Sequence, residues 1–219
     1  MSSLRAVILD FDGVILESNG LKTAAFESVF GRFPEHADAM IAYHHAHVSE
    51  SRFAKFTHLV TERLGRPAGD PLIVQLGEAF SAEMIRRIAD CPMVPGAGRF
   101  LDAFAGRVPL YVSSMTPQDE LLSILARRGL AEIFDGVYGY PPWPKAEAIQ
   151  EIVSRLGSSA GVLFVGDSAA DQRAAREAGV EFLARDCGLA FEHPRPRSFP
   201  DLDSLCSAIV DRLPSPGQM

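Results

Sequence analysis

The 219-residue chain is long enough for one domain with a generous core, or for a core domain carrying a smaller inserted one. Its composition is that of a globular protein, and 21 basic against 28 acidic residues leave a net charge of -7, which argues against nucleic acid or an anionic membrane as the main partner. Cys91, Cys187 and Cys206 follow no CxxC spacing, so neither a disulfide framework nor a zinc site is expected, and all three read as packing residues in a reducing cytoplasm.

The chain passes to a strand within a few residues of Met1, and no apolar run reaches the ~20 residues of a membrane span. No signal peptide is therefore expected, and the chain reads as soluble and cytoplasmic. The first strand is Ala6-Val7-Ile8-Leu9, a branched apolar run that ends in Asp10-Phe11-Asp12-Gly13. If the backbone stays extended through Asp10, the two carboxylates project the same way and Gly13 permits a sharp turn beside them, an arrangement suited to a metal and a nucleophile. Asp-Gly between apolar runs is equally a hairpin signal.

Helical spacing follows from Leu21 to about residue 90. The segments are 20–31, 35–46, 52–64 and 71–89, broken at Gly31-Arg32-Phe33-Pro34, at His47 to Ser51 and at Gly65-Arg66-Pro67. Ser18 or Asn19 would cap the first, and Phe53 and Phe56 would lie in the core of a helical bundle inserted after the first strand. From Val94-Pro95-Gly96 onward helices alternate with strands: helix 97–105, strand 108–112, helix 117–128, a weaker strand 136–140, helix 145–156, strand 161–165, helix 169–178 and strand 181–184. A proline-rich loop (193–200), a helix 201–212 opened by Asp201 or Asp203 and a disordered Pro-Ser-Pro-Gly tail complete the chain.

Alternation of this kind implies right-handed crossovers and a parallel, Rossmann-like α/β sheet that binds ligands outside its carboxyl edge. The expected division is a core of residues 1–16 with 91–219 and a helical cap of 17–90. Asp10, Ser113 with Ser114, Lys145 and Asp167 all fall at strand ends of that edge. Taken singly they have plainer readings: a strand-end serine capping the next helix, a first-turn surface lysine, and a tight turn with a helix cap in Gly166-Asp167-Ser168-Ala169-Ala170-Asp171.

Taken together, Asp10-Phe11-Asp12-Gly13-Val14, Ser113, Lys145 and Gly166-Asp167-Ser168-Ala169-Ala170-Asp171 resemble the haloacid dehalogenase superfamily, over nearly the whole chain. The resemblance implies a magnesium-dependent phosphatase acting on a small phosphorylated metabolite, a sugar phosphate or a phosphocarboxylate. Asp10 would be the nucleophile at phosphorus and Asp12 the general acid and base. Magnesium would be held by the Asp10 side chain, the Asp12 carbonyl and Asp167, with Asp171 a further ligand or the holder of a metal-bound water. Ser113 and Lys145 would bind the phosphoryl group, assisted by Ser114. Lys145 stands in Tyr140-Pro141-Pro142-Trp143-Pro144-Lys145 rather than in the Gly-Lys-Pro run common among relatives, but it is the one lysine after Lys55.

The inserted helices are similar to the subgroup with an alpha-helical cap, which includes phosphoglycolate phosphatase-like enzymes and β-phosphoglucomutase. Ser51-Arg52 matches a cap Ser-Arg pair that reaches the substrate there, with Lys55 a turn further on, although the usual preceding glycine is replaced in Val48-Ser49-Glu50. The alternative is that Arg52 and Lys55 form a solvated helix face. Lys22 stands where β-phosphoglucomutase carries a cap histidine; having no acceptor, it favours water over a sugar hydroxyl as the group that receives the phosphoryl. A mutase, and a silent binding protein with the same fold, are the alternatives. No second metal is expected from His44, His45 and His47, and the protein is expected to be a monomer or weak homodimer.

Overall fold

In the computed structural model, residues 3–48, 50–88 and 90–214 are described. They divide into two compact units, one drawn from residues 1–17 and 92–219, the other from 18–91. The predicted tail beyond Pro214, the last residue of the predicted helix 71–89 and Ser49 of the cap loop lie outside the described residues.

The first unit is a six-stranded parallel sheet. Its strands are β1 (Ala6–Leu9), β2 (Leu110–Ser114), β3 (Gly136–Gly139), β4 (Val162–Gly166), β5 (Glu181–Arg185) and β6 (Ser198–Phe199), in the order β3-β2-β1-β4-β5-β6. β1 lies in the middle because its four side chains are apolar on both faces, and all four are buried. Burying each of its Val, Ile and Leu side chains contributes roughly 1.5–3 kcal/mol. Ala6 and Ile8 pack on one face with Val162 and Phe164 of β4 and with residues of two helices, α7 (Lys145–Leu156) and α8 (Ala169–Ala178). The strand order reverses direction at β1, so the crevice for a ligand opens at the carboxyl ends of β1, β2 and β4.

Two strands of this unit differ most from the sequence reading. β2 begins and ends two residues later than 108–112, so Ser113 and Ser114 are its last residues and not part of the following loop. β6 arises within the predicted proline-rich loop; it pairs at Ala184↔Ser198 and Arg185↔Phe199, and two residues are too few to show a periodicity. The remaining helices of this unit are α5 (Ala97–Phe104), α6 (Gln118–Arg127) and α9 (Leu202–Ile209), the last capped by Asp201, whose carboxylate accepts from Ser204 N.

The second unit contains α1 (Asn19–Phe30), α2 (Ala37–Ala46), α3 (Arg52–His58) and α4 (Leu72–Ile88), and α3 runs on into a π-helical turn over Leu59–Arg63 instead of a regular helix to residue 64. Its core is a cluster of Phe26, Phe30, Phe56 and Phe80, with ring centroids 4.5 Å apart for Phe26 and Phe80 and 5.8 Å for Phe26 and Phe56. Ser18 precedes α1 but makes no side-chain cap, whereas Ser51 caps α3 through Ala54 N. No helix among the described residues is long and apolar enough to cross a membrane.

One glycine fixes how close α8 comes to β4. A Cβ on Gly166 would lie 2.4 Å from the Cβ of Asp171, so only glycine lets the first turn of α8 fold back on the strand end. Gly166→Ala is expected to cost about 2 kcal/mol and to lower the melting temperature by roughly 4–8 °C, measured by calorimetry. An unchanged melting temperature would show that the turn relaxes freely.

Candidate active site

Asp10 directly follows β1. Its backbone N–H still donates to Val165 O (2.9 Å), while its Oδ1 accepts from Phe11 N at 2.7 Å. Gly13 turns the chain with φ 75°, and its N–H closes the turn on Leu16 O at 2.7 Å. The two carboxylates are therefore set at a tight, buried turn of the parallel sheet, and the hairpin reading of Asp-Gly does not hold.

Lys145 is the first residue of α7, where a cation opposes the helix dipole. Its placement there follows from two carboxylates: Nζ lies 2.8 Å from Asp10 Oδ2 and also contacts Asp171 Oδ1. Asp171 is fully buried and fully engaged. Its Oδ2 accepts from Ser168 Oγ (2.6 Å), Ser168 N (3.1 Å) and Asp167 N (3.2 Å), which completes the capping box of α8. The surface-lysine reading of Lys145 is excluded by these contacts, and the helix-cap reading of Ser168 and Asp171 holds together with a place in the site.

Carboxylate oxygens of Asp10, Asp167 and Asp171 all lie within 4.8 Å of one another, and all three residues are buried. Burial, and then the neighbouring carboxylates of Asp171, Asp167 and Asp12, push the Asp10 carboxyl up to about 8 against the pull of Lys145. Burial would drive the proton off Lys145, but the charges of Asp10 and Asp171 outweigh it and hold the ammonium in its protonated form. One ammonium does not balance three crowded carboxylates. The donor set is all oxygen, which fits a hard divalent cation such as magnesium, and a cation there would draw Asp10 back to its charged form. Asp171 takes Lys145 on Oδ1 and three donors on Oδ2, so its side chain first of all holds the lysine and the α8 turn.

Ser113 and Ser114 divide their work. The hydroxyl of Ser113 is buried without a hydrogen-bond partner, as expected of a donor whose acceptor arrives with a ligand. The Ser114 hydroxyl instead donates to Asp12 Oδ2 at 3.4 Å. Three further residues escaped the sequence reading. Thr116 Oγ1 donates to Asp12 Oδ2 at 3.1 Å; the run of hydroxyls Ser-Ser-x-Thr at a strand end is the signal that could have found it. The Cys187 thiol donates to Asp167 Oδ2 at 3.3 Å, so this cysteine is more than packing; burial, and then Asp167, push it up to about 12. Arg185, at the end of β5, donates to Gly13 O at 3.3 Å and pairs with Glu17.

Lys22, Arg52 and Lys55 belong to the helical unit. Lys22, on α1, is partly buried. Arg52 and Lys55 are buried, which overturns the solvated-face reading. Arg52 donates to Ser81 Oγ (2.8 Å) and lies over the Phe80 ring, whereas Lys55 Nζ meets His44 Nδ1 at 3.0 Å and lies over Phe26. His44 Nε2 then meets Thr23 Oγ1 at 3.1 Å. Burial pushes His44 down to about 4 and Lys55 down to about 8, each helped by nearby positive charge. His47 stacks on Tyr43, and His45 is exposed.

A family model described as haloacid dehalogenase-like hydrolase matches residues 7–185. The phosphoglycolate phosphatase of Synechococcus elongatus is 27% identical over 224 residues, covering 96% of this chain and 92% of its own length. CbbY of Rhodobacter sphaeroides, a variant in complex with xylulose-(1,5)bisphosphate, superposes with a TM-score of 0.74 at 18% identity, over 92% of this chain and 96% of that one. YfnB of Bacillus subtilis, bound to magnesium, gives a TM-score of 0.69 at 14% identity, over 95% and 99%. At such identities the two structures speak for the fold.

The crowding at Asp10 has a thermodynamic signature. Its raised value in the folded chain means that the folded state holds a proton that the unfolded state has released, so stability falls as the pH rises from about 4 to about 8. In chelator, Asp10→Asn should melt higher than the wild type at pH 8, by on the order of 5 °C, with the gap closing toward pH 5. Magnesium should raise the wild-type melting temperature and leave the variant nearly unmoved. Parallel pH profiles in a fluorimetric melt would show that the carboxylates do not repel as described.

Proposed function

The chain belongs to the haloacid dehalogenase-like hydrolase family, and from that premise we propose that it is a magnesium-dependent phosphatase of a small phosphorylated metabolite, working through an aspartyl phosphate on Asp10. The observation that carries this reading is the buried set of Asp10, Asp167 and Asp171, two of which hold the Lys145 ammonium, with the unpartnered Ser113 hydroxyl in the adjacent strand. The name of the Synechococcus relative supports a phosphocarboxylate substrate, and the ligand of CbbY a sugar phosphate.

Magnesium held by the side chains of Asp10 and Asp167 and the carbonyl of Asp12 would supply positive charge against the phosphoryl oxygens. The remaining steps belong to the chain. The Asp10 carboxylate attacks phosphorus, and the leaving oxygen takes a proton from Asp12 as its bond to phosphorus breaks. Ser113 donates to a phosphoryl oxygen, and Lys145 holds the Asp10 carboxylate in place while offsetting the charge that gathers there. Asp12 then takes a proton from water as the water oxygen attacks phosphorus, and the Asp10 carboxylate leaves with its electron pair. Asp171 keeps Lys145 charged and ties the Asp167 turn to α8. Choice of substrate is assigned to Arg52, Lys55 and Lys22 of the helical unit, whose cations suit a second anionic group.

Purified protein assayed on a panel of phosphorylated metabolites should release phosphate with magnesium and not with chelator. Asp10→Asn should abolish turnover with the fold intact, and Asp12→Asn should slow it roughly 10²- to 10⁴-fold. Turnover by a clean Asp10→Asn preparation would remove Asp10 as nucleophile. Arg52→Ala should weaken use of the preferred metabolite far more than that of p-nitrophenyl phosphate, and equal effects on the two would remove Arg52 from substrate selection.

A further inference from the structure

A buried ammonium ordinarily pairs with an acid, because an ion that leaves water loses its hydration. Lys55 does not. Its side chain is only 1% exposed, yet among the described residues no carboxylate pairs with it, and its hydrogen bond goes to a ring nitrogen, His44 Nδ1, at 3.0 Å. Glu50, in the loop before α3, attracts it through space while its Oε2 accepts from the Tyr43 hydroxyl at 3.0 Å, and Lys22 of α1 repels it. Arg52, one turn earlier on α3, turns instead to Ser81 and Phe80 of α4.

The tautomer of His44 follows from its partners. An ammonium only donates, so Nδ1 is the acceptor and the ring proton sits on Nε2. Nε2 then donates to Thr23 Oγ1 at 3.1 Å, and the Thr23 hydroxyl gives its own hydrogen to Asn19 O at 3.4 Å. The bonds run one way, from Lys55 on α3 through His44 on α2 to Thr23 on α1. A second proton on the ring would point Nδ1–H at the ammonium. Burial, and then the charges of Lys55, His45 and Lys22, push His44 down to about 4, so Nδ1 stays an acceptor at neutral pH. The Phe26 ring supports both partners, 4.5 Å from the His44 centroid and 5.0 Å from Lys55 Nζ.

We propose that His44, oriented by Thr23, is the positioning residue of Lys55: it holds the ammonium by one hydrogen and leaves the other two for an anionic group of the substrate that does not react, a carboxylate or a second phosphate. This rests on the assignment of Lys55 to substrate selection. A neutral acceptor suits the task better than an acid. An aspartate in the place of His44 would cancel the charge that an incoming anion needs, whereas an imidazole fixes the direction of the ammonium and leaves the charge whole. Neither ring nitrogen touches the substrate in this account; His44 and Thr23 act through Lys55.

The test is a mutant cycle in the full chain with magnesium. It compares two probes that carry a second anionic group, phosphoglycolate and xylulose bisphosphate, with p-nitrophenyl phosphate, which carries none. His44→Phe keeps a ring against Phe26 and removes both hydrogen bonds; it should raise KM for a two-anion probe, relative to that for p-nitrophenyl phosphate, about tenfold with kcat within about twofold. His44→Asn, whose amide oxygen takes the place of Nδ1, should recover most of the loss. In a Lys55→Met background, where nothing remains to be held, His44→Phe should change the KM ratio by less than about twofold. Thr23→Val should give a smaller rise that likewise vanishes in that background, and it serves if His44→Phe does not fold. A rise confined to phosphoglycolate would support the proposal with a carboxylate as the bound group, and one confined to the bisphosphate would support it with a phosphate. A folded His44→Phe with the wild-type KM ratio, a rise that persists without Lys55, or failure of His44→Asn to rescue would overturn the proposal. A Lys55→Met variant with the wild-type KM ratio for both probes, or a wild type that hydrolyses neither, would overturn the assignment of Lys55 to substrate selection beneath it.

Discussion

The site depends on one ammonium. Lys145 stands at the start of α7, against the helix dipole and out of water, because Asp10 and Asp171 hold it from two sides. Removing the lysine would leave three acids facing one another. The interaction also joins three elements that are far apart in sequence: the end of β1, the first turn of α7 and the first turn of α8. Where Lys145 sits is therefore as much a matter of fold as of chemistry, and the same contacts that anchor α7 prepare the carboxylates for a cation.

Around that centre the other polar groups are shared out among several partners. Asp171 is consumed by the lysine and by the α8 cap, Asp12 is held by two hydroxyls, Asp167 takes a thiol, and the Ser113 hydroxyl is buried without an acceptor. A buried hydroxyl without a partner costs stability in the resting protein. Together with the crowded carboxylates it marks a place where the fold gives up stability to be ready for a ligand, a common relation between a site and its scaffold.

Much of this was legible in the sequence, for identifiable reasons. The AVIL run before Asp10 and the alternation from residue 94 onward gave the parallel sheet, because both depend on local periodicity. Asp10, Ser113, Lys145 and Asp167 stood out as candidates because each was read at a strand end of the edge where such sheets bind ligands, and Asp12 because it lies two residues after Asp10. What sequence left open was contact. Thr116, Cys187 and Arg185 act on Asp12, Asp167 and Gly13 from distances of 104, 20 and 172 residues, and no local pattern encodes such pairings. Arg52 and Lys55 show the same limit: their spacing suits a wet helix face, and burial over Phe80 and Phe26 is a tertiary fact.

The position of β1 has a further consequence, for the order in which the protein is made. Ala6–Leu9 is synthesised before both of its neighbours in the sheet, β2 and β4, and Val7 pairs with Leu110 and with Leu163. On a ribosome this apolar strand waits for roughly a hundred further residues before either edge can be closed, and Asp10 waits longer still, until residue 171 has emerged. Contacts of such long sequence separation fold slowly, and an unpaired apolar strand is a target for aggregation in the interval. The helical unit, which is local in sequence and built from short-range contacts, is positioned to fold during that wait and to lie between β1 and its partners along the nascent chain.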